Sequence, residues 1–381
     1  MKGIVNGIIY VKGQFVKNKV LLFSDKIEAI LDAKLVEVEQ LERVIDAKGR
    51  FVLPGFIDVH IHGYASHDTM DDSDVALRII SEGILENGVT SFLPTTMTME
   101  HNYIQRTLNK IRALKSEQAG GATLLGVHLE GPFINENYKG AQSGAYVVQP
   151  DLKLVEDFLD LIKIITIAPE TEGAMEFIKV LSSKGIVCSL GHTGADYETA
   201  VQAFEQGAKG MTHTFNAMSP LHHRKPGVVG AALTKDFYCE VIADNIHLHK
   251  ALYDIILKMK KPEHILLVTD CVRATGMPEG DYELGGQKVH LERGKCSLED
   301  GTLAGSTLKL NVALKNFVES THMKLEDAIL TITENPATYI GEFYRRGSLC
   351  EGKLADITIM DDRFDVYETL VEGRLLYQRN E

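Results

Sequence analysis

Eight short runs rich in β-branched and other apolar residues alternate with longer amphipathic stretches between residues 54 and 270. This alternation is typical of βα units arranged around a parallel sheet. In the stretch 74–87, for example, Val75, Ile79 and Ile80 lie near helical spacing, which predicts an outer helix. Eight units close a (β/α)8 TIM-type barrel, and this α/β fold is our prediction. The predicted strands are residues 56–62, 89–95, 124–130, 162–168, 186–192, 210–215, 237–244 and 265–270.

The two ends of the chain have a different pattern. Residues 1–53 and 351–381 alternate apolar and polar positions with turn residues between them, as in Asn6-Gly7. This pattern predicts short antiparallel strands. Because neither end is large enough for a core of its own, we expect both to pair into one small β-sandwich beside the barrel. The predicted division is a first sandwich part at 1–53, a barrel at 54–350 and a second sandwich part at 351–381.

The segment after the eighth predicted strand does not follow the βα repeat. Gly285-Gly286 lies within residues 271–305, which predicts an inserted hairpin. Residues 306–320 and 325–335 have a helical pattern and lead back to the sandwich.

The charge balance and the cysteines limit the partners and the compartment. The 381 residues carry a formal net charge of −13 at pH 7, which disfavours broad electrostatic attraction to nucleic acid or to an anionic membrane. The longest apolar stretches, such as residues 161–168, fall well short of the ~20 residues that a membrane span requires. The 5 cysteines have no CxxC spacing, which indicates free thiols in a reducing compartment. We therefore expect a cytoplasmic protein with no nucleic-acid and no membrane partner.

Imidazoles and carboxylates occupy the carboxyl ends of the predicted barrel strands, where barrels of this kind build their active sites. His60 and His62 are two residues apart on the first strand, so both imidazoles project from the same side of the sheet. Taken alone, this pair fits a hydrogen-bonded polar strand end as well as a metal site. Glu130, His192 and His213 end three further strands. Burying such groups together is costly unless they are hydrogen-bonded or coordinate a cation, so the sequence predicts a metal centre.

Two divalent ions are expected rather than one, because these five ligands together with Asp270 exceed what a single tetrahedral ion with an open position uses. The nitrogen and oxygen donors suit Zn²⁺, Fe²⁺, Co²⁺ or similar ions and do not choose among them. The only lysine of the fourth predicted strand, Lys163, lies near its beginning, so no carboxylated lysine can bridge the ions at its carboxyl end. Our assignment gives one ion to His60 and His62, the other to His192 and His213, and the bridging position to Glu130.

Asp270 and a basic loop complete the predicted site. Asp270 closes the eighth strand, and we assign it as general base towards the attacking water and later as general acid; a cap of the following turn is the alternative. Arg224 lies in a basic loop, 216–227, of an acidic chain and is predicted to hold a phosphate, although a solvated loop is also consistent with the pattern. His247 follows the seventh strand and is expected to face the ligand, while His128 lies deeper and is expected to support a metal ligand.

Several motifs support this interpretation. The opening strand reads PGFIDVHIHG at 54–63, and later segments read HLEGPF at 128–133, GHT at 191–193, THTFNAM at 212–218 and VTD at 268–270. The first resembles the opening strand of the amidohydrolase superfamily, and the others together resemble the N-acetylglucosamine-6-phosphate deacetylase family within it. The resemblance extends over nearly the whole chain, including GKLAD at 352–356.

The resemblance implies hydrolysis of the acetamide of N-acetylglucosamine 6-phosphate to glucosamine 6-phosphate and acetate, in amino-sugar catabolism and recycling. It implies that Glu130, His192 and His213 are metal ligands and that Asp270 is the catalytic aspartate. It also implies a homodimer in which Arg224 reaches the neighbouring active site. The positions that would contact substrate are Ala141, Gln142, Asn216, Ala217, Arg224, His247, Leu303, Ala304 and Gly305.

Two positions vary in the family that the chain resembles. Some members lack the first HxH pair and use one metal, so the presence of His60 and His62 favours two ions here. Other members carry, in place of Gln142, a histidine that helps to polarise the amide carbonyl. Because Gln142 can donate a hydrogen bond but cannot carry a proton, we expect a second ion to take more of this polarisation.

Two alternative functions remain open at this point. One is another amidohydrolase that acts on a cyclic amide, against which the absent strand-four lysine and the basic loop near Arg224 argue. The other is a catalytically silent barrel that binds a sugar phosphate as a sensor or scaffold.

Overall fold

The computed structural model describes residues 1–117 and 120–380, and its central part is a parallel (β/α)8 barrel, which confirms the predicted fold class. Six strands form one continuous parallel sheet. Of the other two, Val89–Pro94 pairs with Phe56–Ile61 on one side and with the short strand Thr123–Leu124 on the other. Bridges between Ile61 and Cys271 and between Thr95 and His128 close the ring. Barrel strands 1 to 8 are Phe56–Ile61, Val89–Pro94, Val127–Glu130, Ile162–Ile167, Val187–Leu190, Gly210–Met211, Tyr238–Ile242 and Ile265–Val268.

Strands 5, 6 and 8 end earlier than predicted because the chain turns out of the ladder at three site residues. His192, His213 and Asp270 have φ angles of 47°, 32° and 50°, in the left-handed region that side-chain-bearing residues rarely adopt. A strand cannot continue through such a residue, and each of these strands ends two residues before it. Conformations of this kind cost of order ~1–3 kcal/mol each and cluster at functional sites.

Amphipathic helices surround the barrel. In Ala174–Ser183, for example, the buried residues Phe177, Ile178 and Leu181 recur at helical spacing on the face that packs inwards. The predicted outer helix at 74–87 is an α-helix followed by a 3₁₀ turn, and the predicted helices at 306–320 and 325–335 are shorter or divided. The α-helices are Ala76–Gly83, His101–Glu117, Ala174–Ser183, Tyr197–Glu205, Gly227–Thr234, Ala251–Met259, Leu310–Thr321, Leu325–Ala328 and Glu334–Tyr339. The 3₁₀ turns are Ala33–Leu35, Val38–Gln40, Ile84–Asn87, Glu136–Tyr138, Gly144–Tyr146, Leu152–Leu154, Glu156–Phe158, Pro262–His264 and Ile329–Ile332.

Strands from both ends of the chain form two sheets beside the barrel. In the larger sheet, Ile357 near the carboxyl end pairs antiparallel with Pro54 near the amino end. Ile4, Phe23 and Ile359 are fully buried in the core between the sheets. The four-stranded sheet contains Lys2–Val5, Lys19–Phe23, Ile27–Asp32 and Arg43–Asp46. The six-stranded sheet contains Ile8–Val11, Gln14–Val16, Phe51–Pro54, Ile357–Met360, Val366–Val371 and Arg374–Gln378.

The segment after strand 8 forms a four-stranded antiparallel sheet rather than a single hairpin. Gly285 and Gly286 make its first turn with φ angles of 56° and 79°, which glycine adopts without steric cost. The side-chain amide of Gln287 donates a hydrogen bond to the carbonyl of Ala141, so this insertion rests on the loop after strand 3. Its strands are Gly280–Leu284, Gln287–Glu292, Lys295–Ser297 and Leu303–Ser306, and a smaller pair, Gly63–Tyr64 and His67–Asp68, follows strand 1.

A buried arginine joins the barrel to the terminal sheets. Arg346 is 1% exposed, and its Nη1 lies 3.1 Å from Oδ2 of Asp356. The same nitrogen bonds the hydroxyl of Ser91 on strand 2. The guanidinium of Arg346 therefore contacts both a barrel strand and Asp356, which directly precedes the sheet strand Ile357–Met360.

Within residues 1–117 and 120–380, no helix has the length and apolar character needed to cross a membrane. All 5 cysteines are free thiols, as the sequence predicts.

Candidate metal centre

Four imidazoles and two carboxylates meet at the carboxyl end of the barrel, with Glu130 in the middle. Its Oε1 lies 3.2 Å from Nε2 of His192 and 3.1 Å from Nε2 of His213. Its Oε2 lies 3.2 Å from Nε2 of His62, while Nε2 of His60 is 3.6 Å from Oε1. The five residues predicted to bind metal are thus together, and the two carboxylate oxygens face different histidines.

Asp270 lies on the His60 and His62 side of this cluster. Its Oδ1 is 3.2 Å from Nε2 of His62 and 3.4 Å from Nε2 of His60. Its backbone N–H donates to the carbonyl of His60 at 2.8 Å, and its own carbonyl accepts from the backbone N–H of Ser306, also at 2.8 Å. Strand 1 and the inserted sheet therefore hold this left-handed residue from both sides.

The outward nitrogens of three histidines face oxygen acceptors: Glu240 Oε2 is 2.9 Å from Nδ1 of His60, Thr95 O is 3.2 Å from Nδ1 of His62, and Tyr138 O is 2.9 Å from Nδ1 of His192. Carbonyl and carboxylate oxygens only accept hydrogen bonds, so each Nδ1 carries a hydrogen. In the neutral imidazole, Nε2 then has a free lone pair directed into the cluster.

These inward Nε2 atoms lie close to one another. The distance is 3.3 Å between His60 and His62 and 3.0 Å between His192 and His213. Two lone pairs at such a distance repel, whereas a cation between them would bind both. The donor set of four imidazoles and two carboxylates, in which three of the imidazoles direct a proton outwards, therefore fits a divalent metal of the Zn²⁺, Fe²⁺ or Co²⁺ type.

The electrostatics of the cluster favour positive charge. Burial alone would lower the pKa of His60, but the nearby carboxylates of Glu130 and Asp270 raise it to about 9. The same two carboxylates raise the pKa of His62 well above its ordinary value, although burial opposes the shift. Against the cost of burial, the imidazoles hold the pKa of Glu130 well below its ordinary value and also lower that of Asp270. The two carboxylates are therefore ionised at neutral pH, as metal binding and general-base chemistry both require.

A cavity of ≈ 400 Å³ lies over the cluster and has the size of a small-molecule site. The side chains of Met97 and Leu284 add an apolar part to its wall. Ala304 is fully buried and does not line the cavity, because alternation along its strand directs it away from its two neighbours. The residues of the predicted substrate set that line the cavity are Ala141, Gln142, Asn216, Ala217, His247, Leu303 and Gly305.

His247 and Arg224, both predicted to contact substrate, have different surroundings. Nδ1 of His247 lies 2.7 Å from Oδ2 of Asp244, and although burial opposes it, this carboxylate raises the pKa of the histidine. Arg224 is exposed and does not line the cavity of its own chain. Its Nη1 lies 2.6 Å from Nε2 of the neighbouring His223.

Gln142 is 2% exposed and has both ends of its amide bonded within the protein. Its Nε2 donates to Oε2 of Glu130 at 2.8 Å, and its Oε1 accepts from the backbone N–H of Thr98 at 2.6 Å. Gln142 therefore orients the carboxylate in the middle of the cluster.

Glu240 is a site residue that the sequence pattern did not identify. It lies on strand 7, is fully buried and contacts His60. The available signal was a carboxylate within the apolar run 237–244.

His128, predicted to support a ligand, packs its ring 4.6 Å from that of His60, and burial lowers its pKa to about 4. Its own nitrogens bond Val59 O at 3.0 Å and Thr166 Oγ1 at 2.7 Å.

Comparisons with known proteins agree with this geometry. The chain matches the amidohydrolase family over residues 51–376. It is 40% identical to N-acetylglucosamine-6-phosphate deacetylase of Lysinibacillus sphaericus over 348 residues, which cover 90% of this chain and 89% of the relative. The crystal structure of N-acetylglucosamine-6-phosphate deacetylase from Pasteurella multocida has a TM-score of 0.94 at 32% identity, with 99% of this chain and 100% of that chain covered. A variant of the Mycobacterium smegmatis enzyme, in complex with N-acetyl-D-glucosamine-6-phosphate, has a TM-score of 0.91 at 26% identity, with 99% of both chains covered.

Proposed function

The chain belongs to the amidohydrolase family, and on this basis we propose that it is a hydrolase that converts N-acetylglucosamine 6-phosphate into glucosamine 6-phosphate and acetate in amino-sugar metabolism. The observation that carries the proposal is the convergence of four inward Nε2 atoms and two ionised carboxylates below a cavity of small-molecule size. The likeness to deacetylases over nine-tenths of the chain supports the linear amide as the bond that is cleaved. The free thiols support a reducing, cytoplasmic location.

We assign two divalent ions to the cluster. When bound, such ions lower the pKa of water and polarise the amide carbonyl. In this assignment Glu130 would bridge the two ions, since its two oxygens face different histidines. His60 and His62 would hold one ion, and His192 and His213 would hold the other.

Asp270 transfers the proton. Its pKa is held below the ordinary value, so at neutral pH its carboxylate can accept a proton from the attacking water. The same carboxyl group returns this proton to the nitrogen of the departing amine. The backbone bonds to strand 1 and to Ser306 keep Oδ1 beside His60 and His62, so its position does not depend on a mobile loop.

The cavity wall orients the substrate. We propose that His247, Asn216 and the backbone at Ala217 contact the sugar phosphate, while Gln142 acts through Glu130. Binding energy from these remote contacts would position the amide over the cluster and thereby assist the chemical step. The loop at Ala141 and the segment Leu303, Ala304 and Gly305 complete the substrate site, with Ala304 acting through its backbone.

One assay tests the reaction. Purified protein is titrated with N-acetylglucosamine 6-phosphate while acetate release and metal content are measured on the same sample. We expect acetate release that is lost on exhaustive chelation and restored by Zn²⁺, and a much lower rate on N-acetylglucosamine without phosphate. Full activity after chelation would overturn the metal mechanism, binding without acetate would indicate a sensor, and faster turnover of a cyclic amide would indicate the other amidohydrolase reaction.

We further propose a homodimer in which Arg224 holds the phosphate in the neighbouring active site, since it is exposed and lies outside the cavity of its own chain. Arg224→Ala and Asp270→Asn subunits, each inactive alone, are mixed by refolding or co-expression. Statistical mixing creates dimers with one intact site, so activity should recover to about one quarter of the wild-type value. If Arg224 serves its own chain, every site carries a defect and the mixture stays inactive.

A further inference from the structure

Glu240 is a fully buried carboxylate in the barrel interior that the proposed mechanism does not use. We propose that Glu240 is a positioning residue that fixes the tautomer of His60 and thereby sets the affinity of the ion on the His60 and His62 side. This inference rests on the proposed metal centre. It concerns the relative affinities of the two metal positions and not the reaction itself.

The contacts of one carboxylate oxygen define the role. Oε2 of Glu240 lies 2.9 Å from Nδ1 of His60 and also accepts from the backbone N–H of His213 at 3.2 Å. Because this oxygen accepts hydrogen bonds, Nδ1 of His60 is the donor of the pair and Nε2 keeps its lone pair for the cluster. Since His213 belongs to the other half of the cluster, the same oxygen of Glu240 contacts both halves.

The imidazole ring that lies nearest to His60 in the described part of the chain, that of His128, has other partners. The ring of His128 is 4.6 Å from that of His60, but its nitrogens are already bonded to Val59 O at 3.0 Å and to Thr166 Oγ1 at 2.7 Å. Glu240, and not His128, is therefore the hydrogen-bond partner of the outward nitrogen of His60.

The charge of Glu240 has a further consequence. Its other oxygen, Oε1, has no hydrogen-bond partner in the described part of the chain, and a buried carboxylate is costly unless its charge is compensated. The hydrogen bond from Nδ1 of the neutral His60 imidazole to Oε2, at 2.9 Å, leaves a net negative charge on this pair. A carboxylate behind a ligating histidine makes that histidine a more basic ligand, and a cation on the far side of the ring compensates the buried charge in turn.

The test replaces the charge but keeps the shape. In Glu240→Gln the side-chain oxygen can still accept from Nδ1 of His60 and from the backbone of His213, so the geometry can persist while the negative charge is lost. Apo protein is titrated with Zn²⁺ against a chromophoric competitor chelator, so that two binding steps are resolved without measuring turnover. We expect one of the two dissociation constants to rise by ~10–100-fold, as for other partners of ligating histidines, and the other to change by less than ~3-fold.

Glu342→Gln is the matched control. Glu342 is 7% exposed and lies 3.0 Å from Nζ of Lys163, at the opposite end of strand 4 from the site. The same substitution there should lower thermal stability and leave both zinc affinities unchanged. Unchanged zinc binding in Glu240→Gln, or an equal loss at both steps, would overturn the positioning role.

A second measurement does not depend on the variant folding. In zinc-loaded wild-type protein with ¹⁵N-labelled histidine, Nδ1 of His60 should carry a slowly exchanging hydrogen, and an unprotonated Nδ1 would overturn the inference. Acetate release by wild-type protein is recorded separately, so failure of the proposed reaction is distinguishable from failure of the Glu240 role. A wild-type chain that binds one ion only would overturn both the two-ion assignment and the role of Glu240.

Discussion

Replacing Asp270 by asparagine separates proton transfer from metal binding. The amide oxygen of the new side chain could still approach His60 and His62, whose Nε2 atoms lie 3.4 and 3.2 Å from Oδ1 of Asp270. An amide cannot accept and return a proton at neutral pH, and positioned proton transfer contributes typically ~10²–10⁴-fold to a rate. This range equals about 2.7–5.4 kcal/mol of activation free energy. We therefore expect kcat for acetate release to fall by ~10³-fold, with KM within ~3-fold of wild type because the cavity wall is unchanged.

The assay records acetate release over a substrate series, with metal content determined on the same Asp270→Asn sample. Glu130 and the four histidines remain, so metal content should stay near the wild-type value. Asp356→Asn is the control, since Asp356 is equally buried but contacts Arg346 near the terminal sheets and should affect stability without affecting kcat. A loss of kcat below tenfold at full metal content would refute the proton-transfer role. A parallel loss of metal would show that Asp270 acts chiefly as a ligand.

Three further outcomes follow from the contacts. Gln142→Ala removes the donor at 2.8 Å from the Glu130 carboxylate, so kcat/KM should fall by the equivalent of ~1.5–3 kcal/mol without loss of fold, as steady-state kinetics and circular dichroism can establish. Arg346→Met leaves Asp356 buried without its partner and should cost ~3–5 kcal/mol in urea unfolding, whereas a cost below ~1 kcal/mol would contradict the pairing. Burial raises the pKa of Asp68 from 3.8 to about 6, so the folded state binds its proton more tightly and the stability that this proton contributes is lost as pH rises through about 6. Relative to wild type, Asp68→Asn should therefore gain up to about 3 kcal/mol of unfolding free energy between about pH 4 and about pH 7.5, and a constant difference across this range would contradict the shift.

The sequence was sufficient for the barrel and for the residues at its carboxyl end, because both follow from periodicity. Two histidines at a spacing of two must share one side of a strand, and parallel strands in a barrel bring their carboxyl ends to one rim. Glu130, His192 and His213 could be placed beside His60 and His62 on this basis, and each Nε2 of the four histidines lies between 3.1 and 3.6 Å from an oxygen of Glu130.

What the sequence could not supply were contacts set by the closed three-dimensional ring. The partner of His60 is Glu240, 180 residues away, and nothing in a local pattern pairs a strand-7 carboxylate with a particular strand-1 nitrogen. The orientation of Gln142 towards Glu130 has the same origin, since it depends on a loop seated by the inserted sheet through Gln287. That sheet was predicted only as a hairpin because the Gly-Gly turn alone was used, although Arg293-Gly294 and Asp300-Gly301 mark the next two turns in the sequence.

The early strand ends connect the local backbone to the chemistry. A residue that remained in the ladder of strand 5, 6 or 8 would direct its side chain either into the packed barrel or outwards to the helices. The left-handed turn two residues beyond each strand instead places His192, His213 and Asp270 over the rim, where their side chains reach Glu130 or, in the case of Asp270, His62. The strain is confined to positions outside the hydrogen-bonded ladder, so the barrel remains intact while three of the six groups acquire the directions that the centre requires. A substitution that moved one of these φ angles to the extended region would therefore lengthen the strand and turn the side chain away from the site.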